Sequence, residues 1–311
     1  MASPVLFSLY IDDLINDLKD LGMGCHIGIR FYGVVAYADD VALLAPSLYA
    51  LNCMLNICSL YALSHDILFS AAKSACVTFG ASKPVNQPAL PVTLGDSVIP
   101  FVTKAKHLGH LLSSDLSDTL DVGDKLGAFF SQVNGFLTVF KSLRCDLKAR
   151  FFQTYCGSWY GCELWDPVTC RLDRLGVAWR KSIRRLWALP NTCHCALLPS
   201  LMNGSSVTDQ IFLRGLKLVI QSMSHPNDVV RELCRWTAHK VNSHTGKWVA
   251  TWQREFPRLS LSQIAAALCS ANDNAIGNVL LELLLAREGS TAIDNLSHAD
   301  ILDYIVDISC N

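Results

Sequence analysis

Two adjacent carboxylates, Asp39 and Asp40, stand between two apolar runs, Val34-Val35-Ala36-Tyr37 and Val41-Ala42-Leu43-Leu44. Residues 27–37 and 41–45 are rich in Ile, Val, Phe and Tyr, the residue types that suit a pleated, half-buried surface. Only Ala38, Asp39 and Asp40 connect them, so the two strands must fold back on each other. The expectation is a tight antiparallel hairpin with two carboxylates at its tip. Aspartate also favours turns for local hydrogen bonding, and a plain polar turn is the simpler account of an isolated Asp-Asp pair.

Helix and strand alternate around this hairpin. Leu6, Leu9, Tyr10, Leu14 and Leu18 fall near helical spacing and predict a helix over 4–20, ended by Gly22 and Gly24. Pro46 and Ser47 open a second helix to about Leu63, with Leu48, Leu51, Leu55 and Cys58 as its apolar stripe. Residues 67–79 read as extended chain long enough for a strand pair, with Lys73 inside it. The segment 81–91 is a turn-rich loop, and short strands at 92–94 and 98–102 flank a Gly95-Asp96 turn. His107 to Leu112 reads as another strand. Beyond 115 the pattern becomes helical, with helices expected at 119–142, 146–157, 168–187, 207–222, 227–240 and 260–286, and breaks at Pro190, Gly204, Pro226 and Pro257. The class is therefore α+β: a mixed region at 1–115, then helical regions at 116–200 and 201–311.

With 51% hydrophobic and 17% charged residues over 311 positions, the chain can bury sizeable cores and is not expected to be disordered. Mean hydropathy is +0.28, so either a membrane or a partner should cover part of it. No stretch approaches the ~18 consecutive apolar residues of a spanning helix. The N-terminus lacks the basic flank of a signal peptide. Thirteen scattered cysteines, an odd number, fit a reducing compartment, so an intracellular location, nuclear or cytoplasmic, is expected. Cys193-His194-Cys195 has the residue types of a zinc site but no second ligand pair nearby at finger-like spacing.

The net charge of −1 hides an uneven distribution. Residues 1–50 hold six acids against two bases, whereas 141–185 hold ten bases against four acids, a local +6. Such a division suits a protein that holds metal in one place and phosphate backbone in another, although a solvated helix face gives the same pattern. For the hairpin, two neighbouring carboxylates repel unless a cation neutralises them. Mg²⁺ is commonly held by one or two carboxylates together with substrate phosphates. Two such ions stabilise the attacking and leaving oxygens of phosphoryl transfer.

In this context Tyr37-Ala38-Asp39-Asp40 resembles the YADD box of reverse transcriptases. Further segments match in order. Ser3-Pro4-Val5-Leu6-Phe7, running into Tyr10-Ile11-Asp12-Asp13-Leu14, resembles the palm helix before the hairpin. Lys73, in Ala72-Lys73-Ser74, resembles the lysine of the next palm box, and His107-Leu108-Gly109-His110-Leu111-Leu112 resembles the primer-grip box. Tyr160 to Trp165 and Trp179 to Trp187 resemble the region behind the palm in LINE-type, non-LTR retrotransposon polymerases. The resemblance spans roughly residues 1–240.

It implies a partial polymerase palm at 1–115, a thumb-like helical region at 116–200 and a C-terminal helical region at 201–311. Asp39 and Asp40 would be catalytic metal ligands for Mg²⁺, with Mn²⁺ as a substitute. Tyr37 and Lys73 would act at the incoming nucleotide, and Leu108 and Gly109 at the primer end. Arg180, Lys181, Arg184 and Arg185 would meet the backbone of an RNA template and DNA primer, giving affinity without sequence preference. Asp12 and Asp13 match positions on the palm helix away from the metals and are expected to be structural. Trp159, Trp165, Trp179 and Trp187 are expected in the core rather than stacked on bases.

The family's site also uses an upstream aspartate, a fingers region and a Gln-Gly pair before the Ser-Pro, all of which would precede Met1. The sequence is thus expected to be a C-terminal fragment of an RNA-directed DNA polymerase from a transposable element, inactive until the fingers and remaining palm are supplied. The alternative is a non-enzymatic remnant that at most binds nucleic acid. A truncated element copy and a gene model starting at an internal methionine both fit.

Overall fold

A computed structural model describes residues 3–80, 90–168, 172–202, 206–223, 225–240 and 242–255. The chain divides into two compact units, Met1–Asp121 and Val122–Asn311. The first mixes helices with short antiparallel ladders, and the described part of the second is helical, an α+β composition.

In the first unit, α1 (Ser3–Leu21) packs on α2 (Leu48–His65). Ile11, Leu14 and Leu18, one helical face at spacings of three and four, are buried against Met54, Cys58 and Tyr61. Ser47 caps α2, its hydroxyl accepting the Ala50 N–H at 3.1 Å, and Asp66 ends it in the left-handed region at φ 53°. The Tyr61 hydroxyl donates to the Tyr10 carbonyl and locks the two helices together.

The expected strand over 27–37 is broken. β1 (His26–Ile27) and β2 (Arg30–Phe31) form a small hairpin of their own, turning at Gly28 (φ 61°) and a fully exposed Ile29. Only β3 (Val34–Tyr37) pairs with β4 (Asp40–Leu43). At the base of this second hairpin, Gly24 and Gly33 meet closely. A Cβ on either would come within 2.6–2.7 Å of the other's Cα and against the Phe31 ring, so neither position accepts a side chain without movement.

Residues 67–79 are not a strand pair. They run irregularly through a turn at 71–73, and Cys76 makes a single parallel bridge to Phe101. β5 (Thr93–Leu94) and β6 (Ser97–Val98) form the short hairpin expected around Gly95-Asp96. The segment 107–112 is likewise not one strand. β7 (Lys104–His107) and β8 (His110–Ser113) are its two arms, and Leu108-Gly109 is the turn between them. The described strands thus form four separate two-stranded ladders rather than one sheet.

The second unit begins within α3 (Thr119–Val139) and continues through α4 (Cys145–Cys156), α5 (Leu172–Leu186), α6 (Val207–Met223), α7 (Asp228–Ala238) and α8 (His244–Glu255). Phe129, Val133 and Phe136 of α3 join Phe152 of α4, Leu175, Trp179 and Ile183 of α5 and Ile211 of α6 in one apolar core. Trp159 and Trp165 are buried in it and Trp187 packs against it, so all four tryptophans singled out in the sequence serve packing. Of the expected helix over 168–187, Leu172–Leu186 is helical and Val168 lies in a turn. Helix α8, absent from the sequence reading, buries Trp248 directly over Gly215 of α6. The expected helix at 260–286 lies outside the described residues.

Candidate functional site

The β3–β4 hairpin is anchored from below. Val34 and Leu43 pack against the α1–α2 core, and the Leu44 N–H donates to the Gly33 carbonyl at 2.7 Å, extending the ladder by one pair. Tyr37 pairs with Asp40 across the ladder, so Asp40 belongs to a strand and the turn proper is Ala38-Asp39. Ala38 takes φ 51°, a region that costs an L-residue roughly 1–2 kcal/mol. Strained turns of this kind concentrate where a side chain must be aimed.

Tyr37, Asp39 and Asp40 are all exposed. Among the described residues neither carboxylate has a hydrogen-bond or ion-pair partner. No group of three or more His, Cys, Asp or Glu side chains among the described residues is placed to hold a metal. Asp39 and Asp40 are thus a pair of free carboxylates on a rigid tip. That suits Mg²⁺, which accepts one or two protein carboxylates and completes its shell with water and phosphate oxygens. Cys193, His194 and Cys195 gather no further ligand among the described residues, and the His194 Nδ1 already accepts the Ala196 N–H.

Lys73 is exposed on its turn, and no hydrogen bond or ion pair joins it to the hairpin carboxylates. Ala71, two residues earlier, shares an apolar cluster with Leu43 at the hairpin's base, alongside Leu55, Cys76, Val92 and Ile99. Asp12 and Asp13 face solvent on α1.

Leu108 and Gly109 both have positive φ, 47° and 78°, the backbone of the tightest hairpin turns. A leucine in the first of those positions is strained, and its side chain is 37% exposed. Behind the turn stands an arrangement the sequence did not reveal. The Asp121 carboxylate, in the first turn of α3, is fully buried. One of its oxygens accepts the Leu111 N–H at 2.8 Å, and the other lies 3.1 Å from Nδ1 of buried His110. An acid near the start of a helix reads in sequence as an ordinary partner of the helix dipole. Only the tertiary contact gives it another meaning.

On α5 the four expected phosphate contacts divide. Lys181 and Arg185 are exposed, one helical turn apart, and Arg174 extends the same exposed side. Arg185 donates to the Asn134 side chain of α3 at 3.0 Å. Arg184 is turned inward: its Nη2 donates to the Cys193 carbonyl at 2.8 Å and lies 3.2 Å from the Cys195 sulfur. Arg180 folds back along its own helix over Gly176. A further cation, Lys125 of α3, lies 5.6 Å from the centre of the exposed Tyr160 ring.

The chain matches no family model, no curated protein and no solved structure. No helix among the described residues is long and apolar enough to cross a membrane.

Proposed function

We propose that this chain is part of an RNA-directed DNA polymerase of the non-LTR retrotransposon kind and that Asp39 and Asp40 form one side of its two-metal nucleotidyl-transfer site. The observation that carries the reading is the hairpin tip. It holds two exposed carboxylates with no partner among the described residues, on a turn strained at Ala38, in the order Tyr37-Ala38-Asp39-Asp40. Stability alone gives no reason for such a tip.

Bound Mg²⁺ would offset charge on the attacking and leaving oxygens during transfer. The protein's part is to fix where the metal ligands stand. Ladder pairing from Val34↔Leu43 to Tyr37↔Asp40 and the apolar base prevent the carboxylates from drifting. Lys73 would neutralise phosphate at the incoming nucleotide, the Leu108-Gly109 turn would support the primer end, and the exposed cations of α5 would hold the RNA–DNA backbone. A second reading, a protein that only binds nucleic acid, draws on the lack of a third carboxylate beside the pair among the described residues.

The test is binding and extension of an RNA template–DNA primer by the purified chain, with Mg²⁺ and then Mn²⁺, beside Asp39→Ala. The expected result is binding that Mg²⁺ strengthens through Asp39, with no extension, because the described residues hold only one side of the metal cage. Extension that Asp39→Ala abolishes would show a complete site in this chain. Binding indifferent to both Mg²⁺ and Asp39 would favour the second reading, and no binding would remove both.

A further inference from the structure

Two four-residue strands joined by a strained turn make a weak hairpin by themselves, because isolated two-stranded ribbons are marginal in water. The β7–β8 hairpin nevertheless presents Leu108 and Gly109 in one defined conformation. The Asp121 carboxylate of α3 is set against it. Asp121 is fully buried, and burying a carboxylate is costly unless both oxygens find partners. One oxygen accepts the backbone N–H of Leu111, and the other stands 3.1 Å from Nδ1 of His110, the residue before it on β8, whose ring is 7% exposed and approaches the carboxylate without hydrogen-bond geometry. Removing the carboxylate leaves the buried Leu111 N–H without its acceptor and the buried His110 ring without the charge beside it. The carboxylate sits in the first turn of α3, where the helix dipole favours negative charge.

We infer that Asp121 and His110 are the positioning pair of this hairpin. They fix the Leu108-Gly109 turn against the start of α3 and thereby set where a primer 3′ end is held. Both side chains are buried, so they act through the turn rather than on substrate. The inference rests on reading this turn as the support of the primer end.

The experiment uses the full chain and two measurements. One is hydrogen exchange at the Leu111 amide. The other is the preference for a recessed RNA template–DNA primer over a blunt duplex of equal length, measured by fluorescence anisotropy. Asp121→Ala is expected to speed Leu111 exchange at least tenfold while amides of α1 and α2 keep their rates, and to cut the end preference at least fivefold. Asp121→Asn keeps a carbonyl for the Leu111 N–H and should recover most of both. If Asp121→Ala fails to fold, His110→Gln takes its place, with the same loss of preference expected. A wild-type preference that survives Asp121→Ala or His110→Gln overturns the inference alone. A wild-type chain with no end preference overturns the reading beneath it and the inference with it.

Discussion

Replacing the cations of α5 one set at a time separates a nucleic-acid face from a structural one. For duplex binding, log affinity falls with log salt at a slope of about 0.9 for each phosphate neutralised. Lys181 and Arg185 are exposed on the same side of α5 and free to reach phosphates, although Arg185 also holds Asn134. The double variant Lys181→Ala/Arg185→Ala should therefore flatten the slope by about 1.8. Between 50 and 200 mM salt the wild type would then lose about 12-fold more affinity than the variant does. Arg184→Ala should behave differently, because its guanidinium is engaged with the Cys193 carbonyl and the Cys195 sulfur. Its slope should stay near wild type while the unfolding free energy falls by about 0.5–1.5 kcal/mol, the net worth of a hydrogen bond to a half-buried acceptor. The assay is fluorescence anisotropy on an RNA–DNA duplex across a salt series, paired with chemical denaturation. An unchanged slope in the double variant, or a loss of about one unit of slope in Arg184→Ala with stability intact, would refute this division of labour.

Three further outcomes follow from the packing. Gly33→Ala should lower stability by about 1–3 kcal/mol in thermal unfolding, because its Cβ would strike Gly24 and the Phe31 ring; a neutral effect would mean the hairpin base can open freely. Burial pushes the thiols of Cys58 and Cys156 up to about 11 and that of Cys162 to about 12, so at pH 8 iodoacetamide should alkylate exposed Cys195 well before any of them, as read by peptide mass spectrometry. Finally, Leu9, Leu60, Leu63 and Leu68 are all more than half exposed, and leaving even ~400 Å² of apolar surface bare costs on the order of 10 kcal/mol relative to burying it. The purified chain should therefore associate with rising concentration in sedimentation velocity; a monomer at every concentration would contradict this.

The parts of the fold legible in sequence are those fixed by local periodicity. Of the stripe read over 4–20, Leu14 and Leu18 are buried, but Leu9 and Tyr10 are exposed and Ile11 takes their place in the core, whereas the Ser47 cap stands where the sequence put the start of α2. The misread parts depend on residues whose usual meaning was overridden. Ile29 reads as a strand residue but is fully exposed at a turn, so the run from 27 to 37 looked continuous. Leu108 occupies a left-handed position that normally selects Asn or Gly, which hid the second hairpin's turn inside an apparent strand. Helix α8 opens with His244-Thr245-Gly246 and buries chiefly Trp248 and Thr251, too thin an apolar stripe to announce a helix. Gly246 belongs there because a Cβ would lie 2.0 Å from the Lys240 carbonyl oxygen. At the candidate site, the hairpin and its acids were visible because a turn is a local event. The Asp121–His110 pair and the inward turn of Arg184 exist only through contacts between segments that spacing cannot show.

The claim that the hairpin tip is a metal site can be tested at single-residue level with Mn²⁺ as a paramagnetic probe. The chain carries other exposed acids, Asp12, Asp13, Asp17 and Asp20 on α1, which attract divalent cations diffusely and act as an internal comparison. In NMR spectra of the chain bound to an RNA template–DNA primer, substoichiometric Mn²⁺ should broaden the amide signals of residues 37–41 first and most strongly. Asp39→Asn should remove that broadening while leaving the weaker effect along α1. Broadening that is equal along α1 and the hairpin, and indifferent to Asp39→Asn, would show that Asp39 and Asp40 are a polar turn and nothing more.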